Sequence, residues 1–167
     1  MFDRFRGLHD RLTEVGFALA ALFVAVMTVS FWYEVVARYF FGAPTSWAYA
    51  VASYALCPLI FLSLPAMTRR SAHISMTYLV DRLPAHRAAL LARVLLLLAA
   101  LVCLICAWVG AAESWRQYVQ GVETISGFPV PKWWVSAFIP YGMLSSSLYF
   151  LRQCTGDRPA VQTEVQL

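Results

Sequence analysis

The chain has 167 residues, of which 60% are hydrophobic and only 13% are charged. Soluble domains carry about 25% charged residues, so this composition indicates an integral membrane protein and excludes an ordinary soluble domain. The net charge of +4 is modest, and no run of aromatic and basic residues suits base stacking, so we expect no nucleic-acid partner. Three of the four cysteines lie in apolar segments and one in the tail, which favours free thiols over a disulfide framework.

The N-terminal segment, residues 1–14, is polar, and its apolar side chains fall near one side of a helix. These are Phe2, Phe5, Leu8 and Leu12. The pattern predicts a short amphipathic helix at the membrane interface, with a solvated tail as the alternative. The segment is too polar, and the apolar run after it too long, for a cleavable signal peptide.

The first predicted transmembrane span covers residues 15–38. The 19 residues from Val15 to Tyr33 carry no charge, which is enough for a helix to cross the hydrocarbon core of a bilayer. Glu34 and Arg38 follow at i and i+4, so they share one helical face. We interpret Glu34 as half of an interfacial ion pair, with a partner contact as the alternative, and we expect Arg38 to contact a partner subunit or lipid headgroups.

The second predicted span covers residues 46–68, after a turn at residues 42–46. The span contains no charged side chain, and Arg69 follows directly after its end. Trp47 lies near its start, a position typical of an aromatic residue at the membrane interface. Two prolines inside the span predict a kinked helix. They are Pro58 and Pro65.

Residues 69–93 form the largest polar connection, which begins with Arg69 and Arg70. An apolar periodicity within it predicts a second helix along the membrane surface, ended by Pro84. The residues at i, i+3, i+4 and i+7 of that helix are Met76, Leu79, Val80 and Leu83. His73 precedes this helix and has no partner histidine at ligand spacing, so we expect it to be a polar surface residue.

The third predicted span covers residues 88–115 and contains a second charge-free run of 19 residues, 94–112. Cys103 and Cys106 have CxxC spacing within it. They fall at mid-membrane without flanking His or Cys residues, so we interpret them as packing residues rather than as metal ligands or a redox pair.

The fourth predicted span covers residues 132–151, after a loop at residues 121–131 that is rich in turn-forming residues. It opens with a cation and two aromatic residues suited to a membrane interface. They are Lys132, Trp133 and Trp134. Pro140 predicts a kink, and the serines at residues 145–147 can bond to their own helix or pack against a neighbour. The tail, residues 152–167, is polar and predicted to be flexible.

The distribution of basic residues predicts the topology. Ten Lys and Arg residues lie in the N-terminal segment, the second loop and the tail: Arg4, Arg6, Arg11, Arg69, Arg70, Arg82, Arg87, Arg93, Arg152 and Arg158. Three lie in the first and third loops: Arg38, Arg116 and Lys132. The positive-inside rule then places both termini in the cytoplasm. We therefore predict an all-α integral membrane fold with four transmembrane helices and short interfacial amphipathic helices.

The predicted spans lack the side chains that catalysis or ion coupling requires. No Asp, Glu, Lys, Arg or His lies within the apolar runs, so no group is available there to bind an ion, relay a proton or ligate a haem. There is also no glycine-rich phosphate loop, no Ser/His/Asp set and no metal cluster in the sequence pattern. We predict no enzymatic activity, no cofactor and no metal, and we interpret the chain as an accessory membrane subunit.

Several short segments together form a recognisable pattern. They are Arg38-Tyr39-x-Phe41, Trp47, Arg69-Arg70-x-x-His73-Ile74, Leu83-Pro84, Pro131-Lys132-Trp133-Trp134 and Ile139-Pro140. The pattern resembles the small membrane subunit, or Q component, of tripartite ATP-independent periplasmic (TRAP) transporters, and the likeness covers nearly the whole chain. The family often has two acidic residues shortly after the Trp and then an Arg, whereas this chain has Tyr49, Ala50 and Ser53.

The resemblance implies two protein partners in a bacterial inner membrane system. A large permease subunit carries an organic acid with sodium ions, a periplasmic substrate-binding protein delivers the acid, and the small subunit scaffolds the large one. We expect Arg38 and Trp47 to brace the outer turn, and Arg69, Arg70 and His73 to brace the inner one. Phospholipids are further expected partners, since Arg38 and Arg69 suit phosphate groups. The remaining predicted interface residues are Glu34, Lys132, Trp133 and Trp134.

Two alternative functions fit parts of the sequence. A small four-helix subunit of another tripartite carboxylate transporter would have a similar composition, and only the Arg/Trp/His-Ile pattern argues against it. A thiol-oxidising four-helix membrane protein would need paired cysteines in the outward loops, which contain none. A neighbouring gene for a large polytopic permease, beside one for a secreted binding protein, would favour the TRAP interpretation.

Overall fold

The computed structural model describes residues 2–70, 85–124 and 130–155, and it describes the side chains of all of these except residues 2–5 and 85–89. These ranges contain five helices: α1 (Phe2–Phe41), α2 (Ser46–Arg69), α3 (Ala85–Gln120), α4 (Lys132–Ser136) and α5 (Phe138–Thr155). The only β structure within them is an isolated antiparallel bridge between Glu123 and Pro131. The all-α prediction is therefore confirmed for the described residues.

Among the described helices, three are long and apolar enough to cross a membrane. The qualifying segments are Arg6–Phe41 in α1, Ser46–Arg69 in α2 and Leu90–Gln120 in α3. At 1.5 Å of rise per residue, even the 24 residues of α2 reach about 36 Å, which exceeds a hydrocarbon core of about 30 Å. The chain is thus a membrane protein, and the fourth span over residues 132–151 stays a prediction.

The N-terminal segment is continuous with the first predicted span, because α1 is a single helix of 40 residues. Leu8 and Leu12 are 68% and 51% exposed, whereas Thr13 is only 1% exposed. The face of this segment that packs against the other helices is therefore the polar one. The predicted surface helix at residues 76–83 and the end of the tail, residues 156–167, lie outside the described residues.

The helices pack in the order α1, α2, α5, α3. α2 lies between α1 and α5, and α3 packs on the other side of α5, while the short α4 packs mainly against α3. Ala137 separates α4 from α5. Pro140 accounts for this break, since it has no N–H to offer the carbonyl group of Ser136 and its ring would clash with that group in a continuous helix.

Small side chains form the contacts between the helices. The buried positions of α1 recur every three or four residues or at multiples of that spacing, and they are Thr13, Gly16, Ala20, Ser30, Glu34 and Ala37. α2 contributes four buried alanines in its first ten residues: Ala48, Ala50, Ala52 and Ala55. Lipid tails are as apolar as leucine, so transmembrane helices associate through close backbone packing, which small residues permit.

α5 packs very closely against the backbone of α2 at Gly142. A Cβ atom added to Gly142 would lie 2.9 Å from the Cβ atom of Phe61 and nearer still to the Phe61 carbonyl oxygen. No side chain fits in that space, so glycine at this position sets the distance between the two helices.

The two ends of the helix layer differ in chemistry. We call the end that holds Glu14 and Arg69 the basic end, because most described arginines lie there. We call the opposite end, which holds Glu34 and Trp133, the aromatic end. Glu14 and Glu34 are 20 residues apart on α1, so the two ends are separated by about 30 Å of helix.

Candidate partner and lipid interface

Glu34 ties the start of α2 to α1 at the aromatic end. Its Oε1 atom lies 2.6 Å from Nη2 of Arg38, and its Oε2 atom accepts a 2.9 Å hydrogen bond from the backbone N–H of Thr45. The hydroxyl group of Thr45 donates to the same Oε2 atom. Thr45 is the N-cap residue of α2 and makes no side-chain capping bond within that helix; Glu34 instead fixes this residue, which directly precedes α2.

Arg38 and Trp47 lie at the same end and keep much of their surface free. The side chain of Arg38 is 61% exposed despite its ion pair, and Trp47 is 42% exposed. One face of Trp47 contacts Tyr33 of α1, with 5.3 Å between the ring centroids. The structure thus brings together the residues predicted to brace the outer turn, and their contact with a partner stays a prediction.

Arg69 and Arg70 lie at the basic end. Arg69 Nη1 donates a 2.9 Å hydrogen bond to Oε1 of Glu14, which ties the end of α2 to α1. The guanidinium group of Arg70 lies 5.2 Å from the ring centroid of Phe17. Both arginines remain exposed. His73, which was predicted to act with them, lies outside the described residues.

A row of aromatic rings joins α3 to α4 at the aromatic end. Trp115 contacts Tyr118 at 5.8 Å between centroids, Tyr118 contacts Trp133 edge-on at 5.4 Å, and Trp133 contacts Trp134 at 6.0 Å. Trp134 is 60% exposed. Amphipathic rings of this kind collect at the headgroup level of membranes, so the row fits an interfacial belt.

Below this row, polar side chains tie α4 to α3. Ser136 donates to Oε1 of Gln117 at 2.8 Å, and Nε2 of Gln117 donates to Oε1 of Glu113 at 3.0 Å. Gln117 is only 5% exposed. Lys132 opens α4, and its backbone N–H donates to the carbonyl oxygen of Val122 at 3.0 Å, next to the isolated bridge between Glu123 and Pro131.

A partly buried polar network at the basic end was not predicted from the sequence. Tyr149 of α5 donates a 2.9 Å hydrogen bond to Oδ1 of Asp10, and its oxygen lies 2.9 Å from Oγ1 of Thr13. Arg152 donates to the same carboxylate at 3.0 Å. Thr13 and Tyr149 are 1% and 4% exposed, so this network joins α1 to α5 in the interior of the layer.

His9 extends the network in a defined tautomer. Its Nε2 atom lies 2.8 Å from Oγ of Ser145, and its Nδ1 atom lies 3.2 Å from Nη1 of Arg152. A guanidinium group can only donate, so Nδ1 is the acceptor and Nε2 carries the ring proton that is donated to Ser145. On the other side of α5, Gln153 donates to the carbonyl oxygen of Thr68 at 2.7 Å, which adds the end of α2.

The sequence contained a signal for this network. His9 and Thr13 are four residues apart, and Asp10 is three residues before Thr13, so they share one face of α1. From the apolar side chains of residues 1–14, the sequence predicts an amphipathic helix at the membrane interface, with a solvated tail as the alternative. In the structure the polar face turns inward, where Ser145, Tyr149 and Arg152 are its hydrogen-bond partners.

The described side chains of the site hold helices together. Within the part of the chain that the structure describes, no three His, Cys, Asp or Glu residues come together in a metal-binding group. The cysteines are free thiols, and Cys57 donates to the carbonyl oxygen of Val135 at 3.3 Å, which is a packing contact between α2 and α4. Polar side chains at both ends, such as Gln117 and Tyr149, form hydrogen bonds to a neighbouring helix.

Comparison with protein families identifies the chain. Residues 27–158, most of its length, match the model of the family described as tripartite ATP-independent periplasmic transporters, DctQ component. The chain belongs to the DctQ family. It is therefore a component of a TRAP transporter, as the motif resemblance predicted. No curated protein matches it.

Proposed function

We propose that this DctQ-family chain is the non-catalytic small membrane subunit of its transporter and scaffolds a large sodium-coupled permease subunit during uptake of an organic acid. The family match carries the proposal. A scaffold must hold its shape while its neighbour moves. Ties between α1 and α2 at both ends, through Glu14 and Glu34, support such a role.

We further propose that the chain crosses a bacterial inner membrane four times, with its basic end in the cytoplasm. The described arginines of that end are Arg6, Arg11, Arg69, Arg70, Arg93 and Arg152. An excess of arginine on one side is typical of the cytoplasmic face. α5 packs between α2 and α3, two helices that are long and apolar enough to span, which supports a membrane position for α5 as well.

The exposed residues at the aromatic end are proposed to meet the protein partners. Arg38, Trp47 and Trp134 present a cation and two large rings there, and such residues dominate protein interfaces. This end would face the periplasm, where a substrate-binding protein docks. Arg69 and Arg70 are proposed to bind lipid phosphates at the opposite face.

The test is co-purification of the large permease subunit with a tagged small subunit from cells that express both. Arg38→Ala should lower the recovered permease about tenfold, since a central interface arginine is typically worth more than 1 kcal/mol. Arg116→Ala is the matched control, because Arg116 is a similarly exposed cation at the same end, paired with Glu113. Normal recovery and normal uptake with Arg38→Ala would remove Arg38 from the proposed interface.

A further inference from the structure

The imidazole ring of His9 lies at the contact between α1 and α5 and uses both of its nitrogen atoms there. Nε2 donates to Oγ of Ser145 at 2.8 Å, and Nδ1 accepts a hydrogen bond from Nη1 of Arg152 at 3.2 Å. The ring of Tyr149 lies against the imidazole, with 4.5 Å between the ring centroids. All three partners belong to α5, so the ring is one of the side chains that join α1 to that helix.

The contact between His9 and Arg152 requires a neutral ring. A protonated imidazole carries a hydrogen on both nitrogen atoms, so neither orientation of the ring could accept a bond from the guanidinium group. Protonation would also bring a second positive charge to a nitrogen atom 3.2 Å from the guanidinium nitrogen. His9 is half-buried, so water screens that repulsion only in part.

The other charged side chains at the basic end do not offset the added charge. Asp10 is next to the histidine in the chain and favours a proton on its ring, but its carboxylate already accepts hydrogen bonds from Tyr149 and Arg152. Glu14 is likewise paired, with Arg69 of α2. Positive charge is in excess among the described side chains that α1, α2 and α5 place at this end, where the arginines are Arg6, Arg11, Arg69, Arg70 and Arg152.

We propose that His9 makes the contact between α1 and α5 sensitive to protons: when the ring takes up a proton, its bond to Arg152 is lost and α1 separates more easily from α5. A histidine in water titrates near about pH 6.5, so mild acid is enough to protonate it. The inference goes beyond the scaffold role, because it gives the basic end a response to pH. With the orientation proposed above, the pH that acts on His9 is that of the cytoplasm.

The effect on stability has a definite sign. In the unfolded chain no guanidinium group is held beside His9, so the unfolded chain binds the proton more readily than the folded one. Stability therefore falls as the pH falls through about 6.5. Between pH 7.5 and pH 5.5, one such histidine raises the equilibrium constant for unfolding by at most about tenfold.

The first test measures that equilibrium constant at both pH values for the full-length chain in a mild detergent. Wild type should show a rise of about three- to tenfold. His9→Gln offers a carbonyl oxygen to Arg152 and an N–H to Ser145 without titrating, so its rise should stay below about twofold. The matched control replaces the other two histidines of the chain, His73→Gln with His86→Gln, and should keep the wild-type rise. No rise in wild type, or an equal rise with His9→Gln, would overturn the proposal.

A second variant tests whether the guanidinium group is the reason that the proton is unfavourable. With Arg152→Gln, the charge next to His9 in the chain is that of Asp10, so acid should no longer destabilise the protein and the rise should vanish or reverse. Arg93→Gln is the control, since Arg93 is an exposed arginine of α3 and makes no contact with His9. A full wild-type rise with Arg152→Gln would contradict the proposal.

Hydrogen exchange of the unaltered chain keeps the proposal testable if a variant does not fold. Amide protection, corrected for the intrinsic effect of pH on exchange, is compared at pH 7.5 and pH 5.5. We expect protection of residues 6–13 and 145–152 to fall at least about threefold more than that of residues 30–37, a segment of α1 without histidine. An equal change in all three segments would overturn the proposal. These tests use the small subunit alone, so their outcome and that of the co-purification test are independent.

Discussion

Tyr149 of α5 donates a hydrogen bond to Asp10 of α1, although 139 residues separate them in the chain. This hydrogen bond joins α1 to α5 at the basic end. Tyr149→Phe removes the donor and little volume, so it should lower the free energy of unfolding by about 1 kcal/mol. Unfolding of the purified chain in a mild detergent measures this change. Tyr39→Phe is the control, since Tyr39 is 80% exposed, and an equal loss from both variants would contradict the assignment.

Glu34 supports a second prediction, at the aromatic end. Glu34→Ala leaves the backbone N–H of Thr45 without its acceptor and frees Arg38, so it should lower the free energy of unfolding by about 2 kcal/mol. The same unfolding measurement applies. Glu113→Ala breaks a more exposed pair with Arg116 and should cost less than half as much. A Glu34 variant as stable as wild type would show that the turn is held by other contacts.

Gly142 and Gly7 offer a matched pair of glycine substitutions. Gly142→Ala forces a methyl group against the Phe61 backbone, and we expect a loss of about 1–3 kcal/mol of stability and a lower yield of monodisperse protein. Gly7→Ala meets no atom within 4 Å and improves helix propensity, so it should leave stability unchanged or raise it by up to about 1 kcal/mol. A harmless Gly142→Ala would mean that α2 and α5 are farther apart than described.

The proposed orientation predicts which positions react from outside the cell. In a background without native cysteines, Glu123→Cys should react with a membrane-impermeant maleimide in intact cells, since Glu123 is exposed at the aromatic end. Arg11→Cys, exposed at the basic end, should react only after permeabilisation. Labelling of Arg11→Cys in intact cells would place the basic end outside. Equal labelling of both variants after permeabilisation is the control for thiol reactivity.

Charge-free runs were sufficient to locate most of the helical framework. A stretch such as Val15–Tyr33 has no alternative to a helix in lipid, because every backbone polar group must be satisfied within the segment. The turn before Ser46 was marked by glycine and proline. Charge-free runs and turn-forming residues each act on the backbone of their own segment, so they can be recognised without knowing how the helices pack.

The long-range polar contacts could not be predicted in the same way. Nothing near Tyr149 in the sequence indicates that its partners are Asp10 and Thr13, since α5 reaches them only when α2 packs beside it. The break at Ala137 was expected as a kink at Pro140, and the geometry of the missing hydrogen bond shifts it by three residues.

The two glutamates of α1 bind the two ends of α2. Glu14 holds Arg69 at one end, and Glu34 holds Thr45 at the other. One residue inserted between the glutamates would lengthen α1 by about 1.5 Å and rotate one glutamate relative to the other by about 100°. One of the two carboxylates would then no longer face its partner on or next to α2. The spacing between these two acids is therefore matched to the length of α2, because each acid contacts one end of that helix.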